Sequence, residues 1–460
     1  MGDAIKARAA ITAAVPAAAD AGAEAFAKGG NAFDAAVAAA LAETVWLPMK
    51  CGLAGDVVAL YSRSGKPTRA ILSLGRGPLA LLAGARLEAT GPRSVGGFGA
   101  PEGYAKLASF GRLGLAQLTA PAIRMAEEGV SWSPISTRLT VEAEALIRRW
   151  NAANPYLPGD ALPKPGDALR PTRLAGLLRR FAQDGAMLFH GEAGEIVLAH
   201  LARLGGILTR DDLLRAVATE MPPERFDLGR GGAVLETTPH PTHGVIHGRA
   251  LLAHLAGKPE SDSVMDAKAE FGAGADGGTS VVTAVDGEGN RVVLVHSNSY
   301  PRYGSGVIVP EFDLILNNRS GRGFATDGKA DHWNAPSPLS IPSTTLNAWH
   351  LFDGRADHWG GTPGGENQAV WNTQTTAALM QGCDPQTAIS RPKWGLTPDR
   401  KLQWEEDHPD RPEGAKTVGH HAIRSTLQML RIDPESSIVT AGVDPRAETA
   451  ARFVVDPTLG

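Results

Sequence analysis

An α+β fold is the expectation from this sequence, on three observations. Short β-like runs and long alanine-rich helical runs are mixed along the chain without regular alternation. No repeat of fixed period stands out. Glycine and proline punctuate the runs often enough, with 54 glycines in 460 residues, to make many tight turns. A layered α/β arrangement is the alternative.

The elements follow in order. Residues 17–45 read as two helices. The first ends at Gly29-Gly30, where glycine supplies a left-handed cap, and Asn31 caps the second with Asp34 in its first turn. "DVVALYSRSGKPTRAILSLG" reads as two strands around a turn. "APEGYAKLASFGRLGLAQLTAPAIRMAEEGV" reads as helices broken at Gly111 and Pro121. Residues 172–205 are helical, and Thr209 caps a short helix. "GGAVLETTP" is a strand and "HGVIHGRALLAHLAG" a helix. The polar, glycine-rich stretch 256–278 reads as an exposed linker or processing region. Strands are expected at 279–286, 290–297 and 312–318, then two within "PLSIPSTTLNAWHLFDGRADHWGGTPGG". A helix starts near Gln368, and the chain closes with helices and strands near 416–422 and 436–441.

Composition narrows the function. Hydrophobic residues at 43% and charged residues at 20% are ordinary for a globular protein, and a net charge of −4 gives no basic footprint for nucleic acid. No run of about 18 apolar residues is present, so no membrane partner is expected. The first residues lack an apolar signal-peptide core, and a cytoplasmic location is the expectation. Two cysteines, Cys51 and Cys383, make no disulfide framework and read as small buried hydrophobes. His243 and His247 are spaced i,i+4, but no HExxH pattern accompanies them; no metal and no cofactor is expected.

The chemistry-bearing stretch is "GGTSVVTAV". A threonine hydroxyl is a weak nucleophile unless a base stands beside it. Cutting the Gly278–Thr279 bond would free the α-amine of Thr279, with a pKa of about 7.7–8.0, to take that proton. The hydroxyl can make the cut itself by an N→O acyl shift on the Gly278 carbonyl. The same atom would then act on substrate.

Several blocks in order resemble the gamma-glutamyltranspeptidase family of N-terminal-nucleophile hydrolases. They are "GGNAFDAAVAAALAETV" (29–45), "GGFGAPEGYAKLASFGRLGLAQLTAPAIRMAEEGVSWSP" (96–134), "TTPHPTHGVIHGRALLAHL", "TSVVTAVDGEGNRV", "YGSGVIVPEFDLILNN", "GTPGGENQAVWNTQ" and "VDPRAETAA". The resemblance implies a four-layer αββα sandwich and cleavage into segments 1–278 and 279–460 that stay associated. It implies a Thr279 acyl-enzyme and an oxyanion hole from the backbone N–H groups of Gly364 and Gly365. Ser297 would stand near the nucleophile's amine, Asn298 and Ser299 near the substrate, and Arg76 and Ser340 in carboxylate recognition.

The chain also departs from that pattern. After "LNN" the family supplies groups for an ammonium; here Arg319 and Arg322 follow, which repel a cation and welcome a carboxylate. Ile341 replaces the second of a pair of serines, and Asp56 stands where the family has glycine. The expected substrate is therefore a small molecule with an anionic acyl group, with Arg76, Arg319 and Arg322 as candidate clamps. Two alternatives stay open: a C–C bond hydrolase of a 4-alkylproline-type antibiotic pathway, and an unprocessed, non-catalytic homologue.

Overall fold

The computed structural model describes residues 7–272, 278–325 and 332–455. Two antiparallel sheets lie face to face. One runs in the order Ala450–Val455, Ala7–Ala13, Gly278–Asp286, Arg291–Ser299, Asp56–Ser62, Arg69–Ser73, Thr219–Met221. The other runs Val439–Val443, Gln428–Ile432, Asp357–Gly361, Ala348–Phe352, Val234–Thr237, Glu224–Asp227. Strand alternation divides the apolar residues between faces. Val58, Leu60, Val281, Val293 and Val295 meet Leu346, Ala348 and Trp359 between the sheets. Ala59, Val282, Ala284, Val292 and Leu294 turn outward onto helices Pro16–Ala27, Ala32–Trp46, Ala100–Ala108 and Leu115–Glu128. The second sheet's outer face carries Gly244–Leu255, Glu260–Phe271, Asn367–Met380 and Pro385–Ser390. This is the αββα sandwich.

Helix Ala32–Trp46 explains how the first sheet is held. Asn31 Oδ1 accepts from the Phe33 and Asp34 amides at 2.9 and 3.2 Å, while Asp34 Oδ2 accepts from the Asn31 amide at 2.8 Å. That reciprocal cap starts a helix buried on almost every side, which its run of alanines makes possible.

Four expectations are corrected. Residues 260–271 form a helix, not a linker: Val264, Ala267 and Phe271 sit at helical spacing and are buried, a stripe masked by the polar residues between them. Residues 273–277 lie outside the described residues. Helix Leu115–Glu128 runs through Pro121, the lost amide bond being outweighed by burial of Leu118, Ala122 and Ala126. The expected strand at 312–318 shrinks to Leu314–Ile315. The C-terminal region is richer in strand than expected, with Gln428–Ile432 and Ala450–Val455 each joining a main sheet.

The segments on either side of the Gly278–Thr279 bond are interleaved. Strand Ala7–Ala13 lies between Ala450–Val455 and Gly278–Asp286, and Asp56–Ser62 pairs with Arg291–Ser299. In the second sheet, Val234–Thr237 pairs with Ala348–Phe352.

Candidate active site

Thr279 is the second residue of the central strand Gly278–Asp286, and its register with Ser297 and Asp56 places three polar side chains in one row on the face toward the second sheet. All three are fully buried. Thr279 Oγ1 accepts a hydrogen bond from Gln368 Nε2 at 3.2 Å, and Gln368 also donates to Thr345 Oγ1 at 3.0 Å. Gln368 stands in the first turn of helix Asn367–Met380. The Asn367 and Gln368 amides return to the carbonyls of Gly364 and Gly365 at 3.1 and 2.9 Å. Gly364 has φ 142° and Gly365 φ 59°. A Cβ on Gly364 would lie 2.4 Å from the Trp371 ring, so only glycine fits that turn. Gln368 thus ties a glycine turn at a helix N-terminus, a natural site for negative charge, to the Thr279 hydroxyl.

The Ser297 hydroxyl donates to the Gly278 carbonyl and accepts from the Ser299 amide at 2.8 Å. Ser299, with φ 72°, follows a register shift in the strand. Its hydroxyl is buried without a partner among the described residues, as is Asn298 Oδ1. Asn298 Nδ2 donates to the Pro48 carbonyl at 3.3 Å. A Cβ on Gly278 would fall 2.7 Å from the Ser299 carbonyl oxygen and 3.3 Å from Arg302 Nη1.

On the opposite face of the same strands, His296 Nε2 hydrogen-bonds Glu43 Oε2 at 2.7 Å, and Tyr104 OH bonds Nδ1 at 2.7 Å. Glu43 Oε1 also accepts from the Ala14 amide at 2.8 Å. With Cys51, Glu43 and His296 form a compact group of metal-ligating side chains. Glu43 and His296 are nevertheless occupied by these partners, and the chain braces sheet against helices. His296 faces away from Thr279.

The arginines named from sequence separate. Arg319 is buried, and its Nε donates to Asp56 Oδ2 at 2.7 Å, while Asp56 Oδ1 accepts from the Gly75 amide at 2.7 Å. The Asp56 carboxylate cancels the Arg319 charge. The two terminal nitrogens, Nη1 and Nη2, are buried without partners among the described residues. Arg76 is half-buried and donates through Nη1 to the Leu339 carbonyl at 3.0 Å. The neighbouring Ser340 hydroxyl is engaged in its own turn, donating to the Ser337 carbonyl at 2.7 Å. Arg322 lies over the Tyr300 ring, 5.8 Å from its centroid. His243 and His247 belong to the core: His247 bonds Thr376 Oγ1 at 2.9 Å, and burial pushes its pKa down to about 3.

A further group was not anticipated. Lys50, Arg138, Arg302 and Arg424 line a cavity of about 60 Å³ with Gly364. Arg424 pairs with Glu142 at 3.0 Å. Among the described residues, Lys50, Arg138 and Arg302 form no salt bridge, and the Arg138 and Arg302 Nε atoms are buried without partners. Burial, then the nearby Arg302 charge, push the Lys50 pKa down to about 8. Burial lowers those of Arg138 and Arg302, with Arg424 adding to the effect on both. The signal in the sequence was slight: Arg302 follows the strand end in "SNSYPRYGSG", and Lys50 precedes "CGLAGD".

The family model for gamma-glutamyltranspeptidase matches residues 18–270 and 249–454, nearly the whole chain. The chain belongs to the gamma-glutamyltranspeptidase family. It is similar to the oxamate amidohydrolase proenzyme of Klebsiella pneumoniae, 30% identical over 80% of this chain and 81% of that protein. It is also similar to the glutathione hydrolase-like YwrD proenzyme of Bacillus subtilis, 27% identical over 93% of this chain and 91% of that protein. Among solved structures, cephalosporin acylase from Bacillus halodurans superposes with a TM-score of 0.84 at 25% identity, covering 97% of this chain and 96% of that one. At these identities the chain is a divergent member, and an enzyme of acyl transfer or hydrolysis.

Proposed function

We propose that the chain cleaves itself between Gly278 and Thr279 and then hydrolyses the amide of a short acyl group that carries a carboxylate. The observation that carries this reading is the pairing of Ser297 with the Gly278 carbonyl, beside a Thr279 hydroxyl already held by Gln368. A donor on the Gly278 oxygen polarises the bond to be cut and stabilises the oxyanion that forms there. Once cut, the α-amine of Thr279 takes the hydroxyl proton. Oγ1 attacks the substrate carbonyl, the backbone N–H groups of Gly364 and Gly365 receive the negative charge, and water completes the turnover. Segments 1–278 and 279–460 remain one body through their shared sheets.

The preference for an anionic acyl group rests on Lys50, Arg138 and Arg302, which line a cavity with Gly364 and form no salt bridge among the described residues. A γ-glutamyl group brings an ammonium as well, which these charges disfavour. The oxamate amidohydrolase relative, whose named substrate carries an amide and a carboxylate, supports the same direction. Purified protein should run as two fragments on a denaturing gel, with a new N-terminus at Thr279 by mass spectrometry. Thr279→Ala should stay whole and inactive. An alanine variant that still cuts itself and turns over substrate overturns the assignment, and efficient γ-glutamyl anilide turnover overturns the charge argument.

A further inference from the structure

We propose that Lys268 is a positioning residue for catalysis. From the last turn of helix Glu260–Phe271, ahead of the cut, it fixes the Gly364–Gly365 turn that lies beyond the cut. It thereby sets the rate of substrate turnover without setting the rate of self-cleavage. The proposal rests on the backbone N–H groups of that turn receiving the substrate oxyanion.

The turn needs outside support. Gly364, at φ 142°, and Gly365, at φ 59°, occupy backbone regions that glycine reaches freely, and a pair without side chains has other conformations within easy reach. An oxyanion donor is useful only when its N–H already points at the developing charge. The Asn367 and Gln368 amides hold the Gly364 and Gly365 carbonyls at 3.1 and 2.9 Å, so the turn is as firm as residues 366–368. Each of these three has its own anchor. Asn367 exchanges two bonds with Leu396, Nδ2 donating to its carbonyl at 2.9 Å and Oδ1 accepting from its amide at 2.6 Å. Gln368 is held by Thr345 and Thr279. Glu366 is held by Lys268, whose ammonium donates to the Glu366 carbonyl at 3.0 Å and to its carboxylate Oε2. Of these anchors, Lys268 is the one that comes from segment 1–278.

The grip is sheltered and made twice. The two side chains are 13% and 12% exposed, so water competes little for the ammonium. Burial pushes the Glu366 carboxyl up, yet it stays below its ordinary value because Lys268, then His243, favour the carboxylate. The helix that carries Lys268 is itself pinned to segment 279–460 at both ends. Trp394 Nε1 donates to Glu260 Oε1 at 2.6 Å, Trp333 Nε1 donates to the Phe271 carbonyl at 3.2 Å, and His332 Nε2 donates to the Gly272 carbonyl at 2.9 Å. None of these contacts uses the Gly278–Thr279 bond, so the brace outlasts the cut. Self-cleavage makes a different demand: its oxyanion forms on the Gly278 carbonyl, where the Ser297 hydroxyl donates.

The test is Lys268→Met, which keeps the apolar stem and removes the donor. Arg400, 3.2 Å from Glu366, still balances the carboxylate. Precursor disappearance on denaturing gels should stay within about threefold of wild type. In the cleaved protein, kcat for p-nitroaniline release from succinyl-p-nitroanilide should fall about ten- to hundredfold while KM stays within about twofold. Complete loss of one oxyanion donor costs about 10²–10³, and here the turn is loosened rather than removed. Hydrogen exchange of the Asn367 and Gln368 amides should quicken about tenfold or more, a readout that needs no substrate. Unchanged kcat or unchanged exchange overturns the brace and leaves Thr279 and the glycine turn standing. Parallel losses in self-cleavage, kcat and denaturation midpoint overturn it as well, because they mark a residue that only stabilises the fold. Failure of the wild-type protein to form an acyl-enzyme on Thr279 with this amide, read by mass spectrometry, counts instead against the underlying site, and the exchange measurement still decides the brace.

Discussion

Replacing Ser297 by alanine isolates the first chemical event. The hydroxyl makes two contacts, donating to the Gly278 carbonyl and accepting from the Ser299 amide at 2.8 Å. Loss of the first removes a donor aimed at the oxygen where charge develops during the N→O shift. Such a donor is worth roughly 10²–10³ in rate. Loss of the second strands a buried amide, costing about 1–3 kcal/mol of stability. Ser297→Ala should therefore fold, with a lowered denaturation midpoint, and self-cleave about a hundredfold more slowly. Ser297→Thr, which keeps the hydroxyl, should recover much of the rate. The assay is a time course of precursor disappearance on denaturing gels, with the denaturation midpoint measured in parallel. Wild-type cleavage rates in a folded Ser297→Ala protein would refute the role given to this hydroxyl, because no other side-chain donor to the Gly278 oxygen stands among the described residues.

The Asp56–Arg319 pair, with both side chains buried, predicts that Asp56→Ala destabilises a Thr279→Ala precursor by about 3–5 kcal/mol in urea unfolding, because it leaves a buried guanidinium uncompensated; a loss below 1 kcal/mol would contradict the pairing. Lys50 titrates near 8 when folded and near 10.5 when unfolded, so the unfolded chain holds the extra proton between those values and stability rises with pH across that window. The rise attributable to Lys50 is on the order of 3 kcal/mol and should vanish in Lys50→Met, as read by denaturant titrations at pH 7.5 and about 10. Because strands from both sides of the cut alternate in the first sheet, the fragments should co-elute in size exclusion after cleavage and separate only in denaturant; a small fragment eluting alone would count against the interleaved sheet.

What the sequence made legible follows the range of each interaction. Asn31 and Asp34 announce a cap through contacts three residues apart, and the strands 279–286 and 290–297 show their alternation locally. The helix at 260–271 was hidden because its buried stripe is only Val264, Ala267 and Phe271 among charged neighbours. The Gly364–Gly365 turn is visible as glycines, but its tie to Thr279 runs through Gln368, 89 residues away in sequence. Arg319 was read as a clamp because its partner, Asp56, lies 263 residues away and meets it only when the strand Asp56–Ser62 pairs beside Arg291–Ser299.

That last point sets the charge balance of the site. A guanidinium is counted as an anion receptor only when nothing nearby has already neutralised it. Arg319 fails that count through Asp56, and Arg446 fails it through Glu405 and Asp444. Lys50, Arg138 and Arg302 form no such salt bridge among the described residues, with Glu142 and Glu448 acting on them only at longer range, and none is adjacent in sequence to the others. They gather because the residues just before strand Asp56–Ser62, just after strand Arg291–Ser299 and at the start of helix Pro134–Trp150 meet at one end of the sandwich, where Thr279 also begins its strand. Sequence could report that the chain owns arginines near the strands that carry Thr279 and Ser297. Only the pairing of strands decides which of them still carry usable charge.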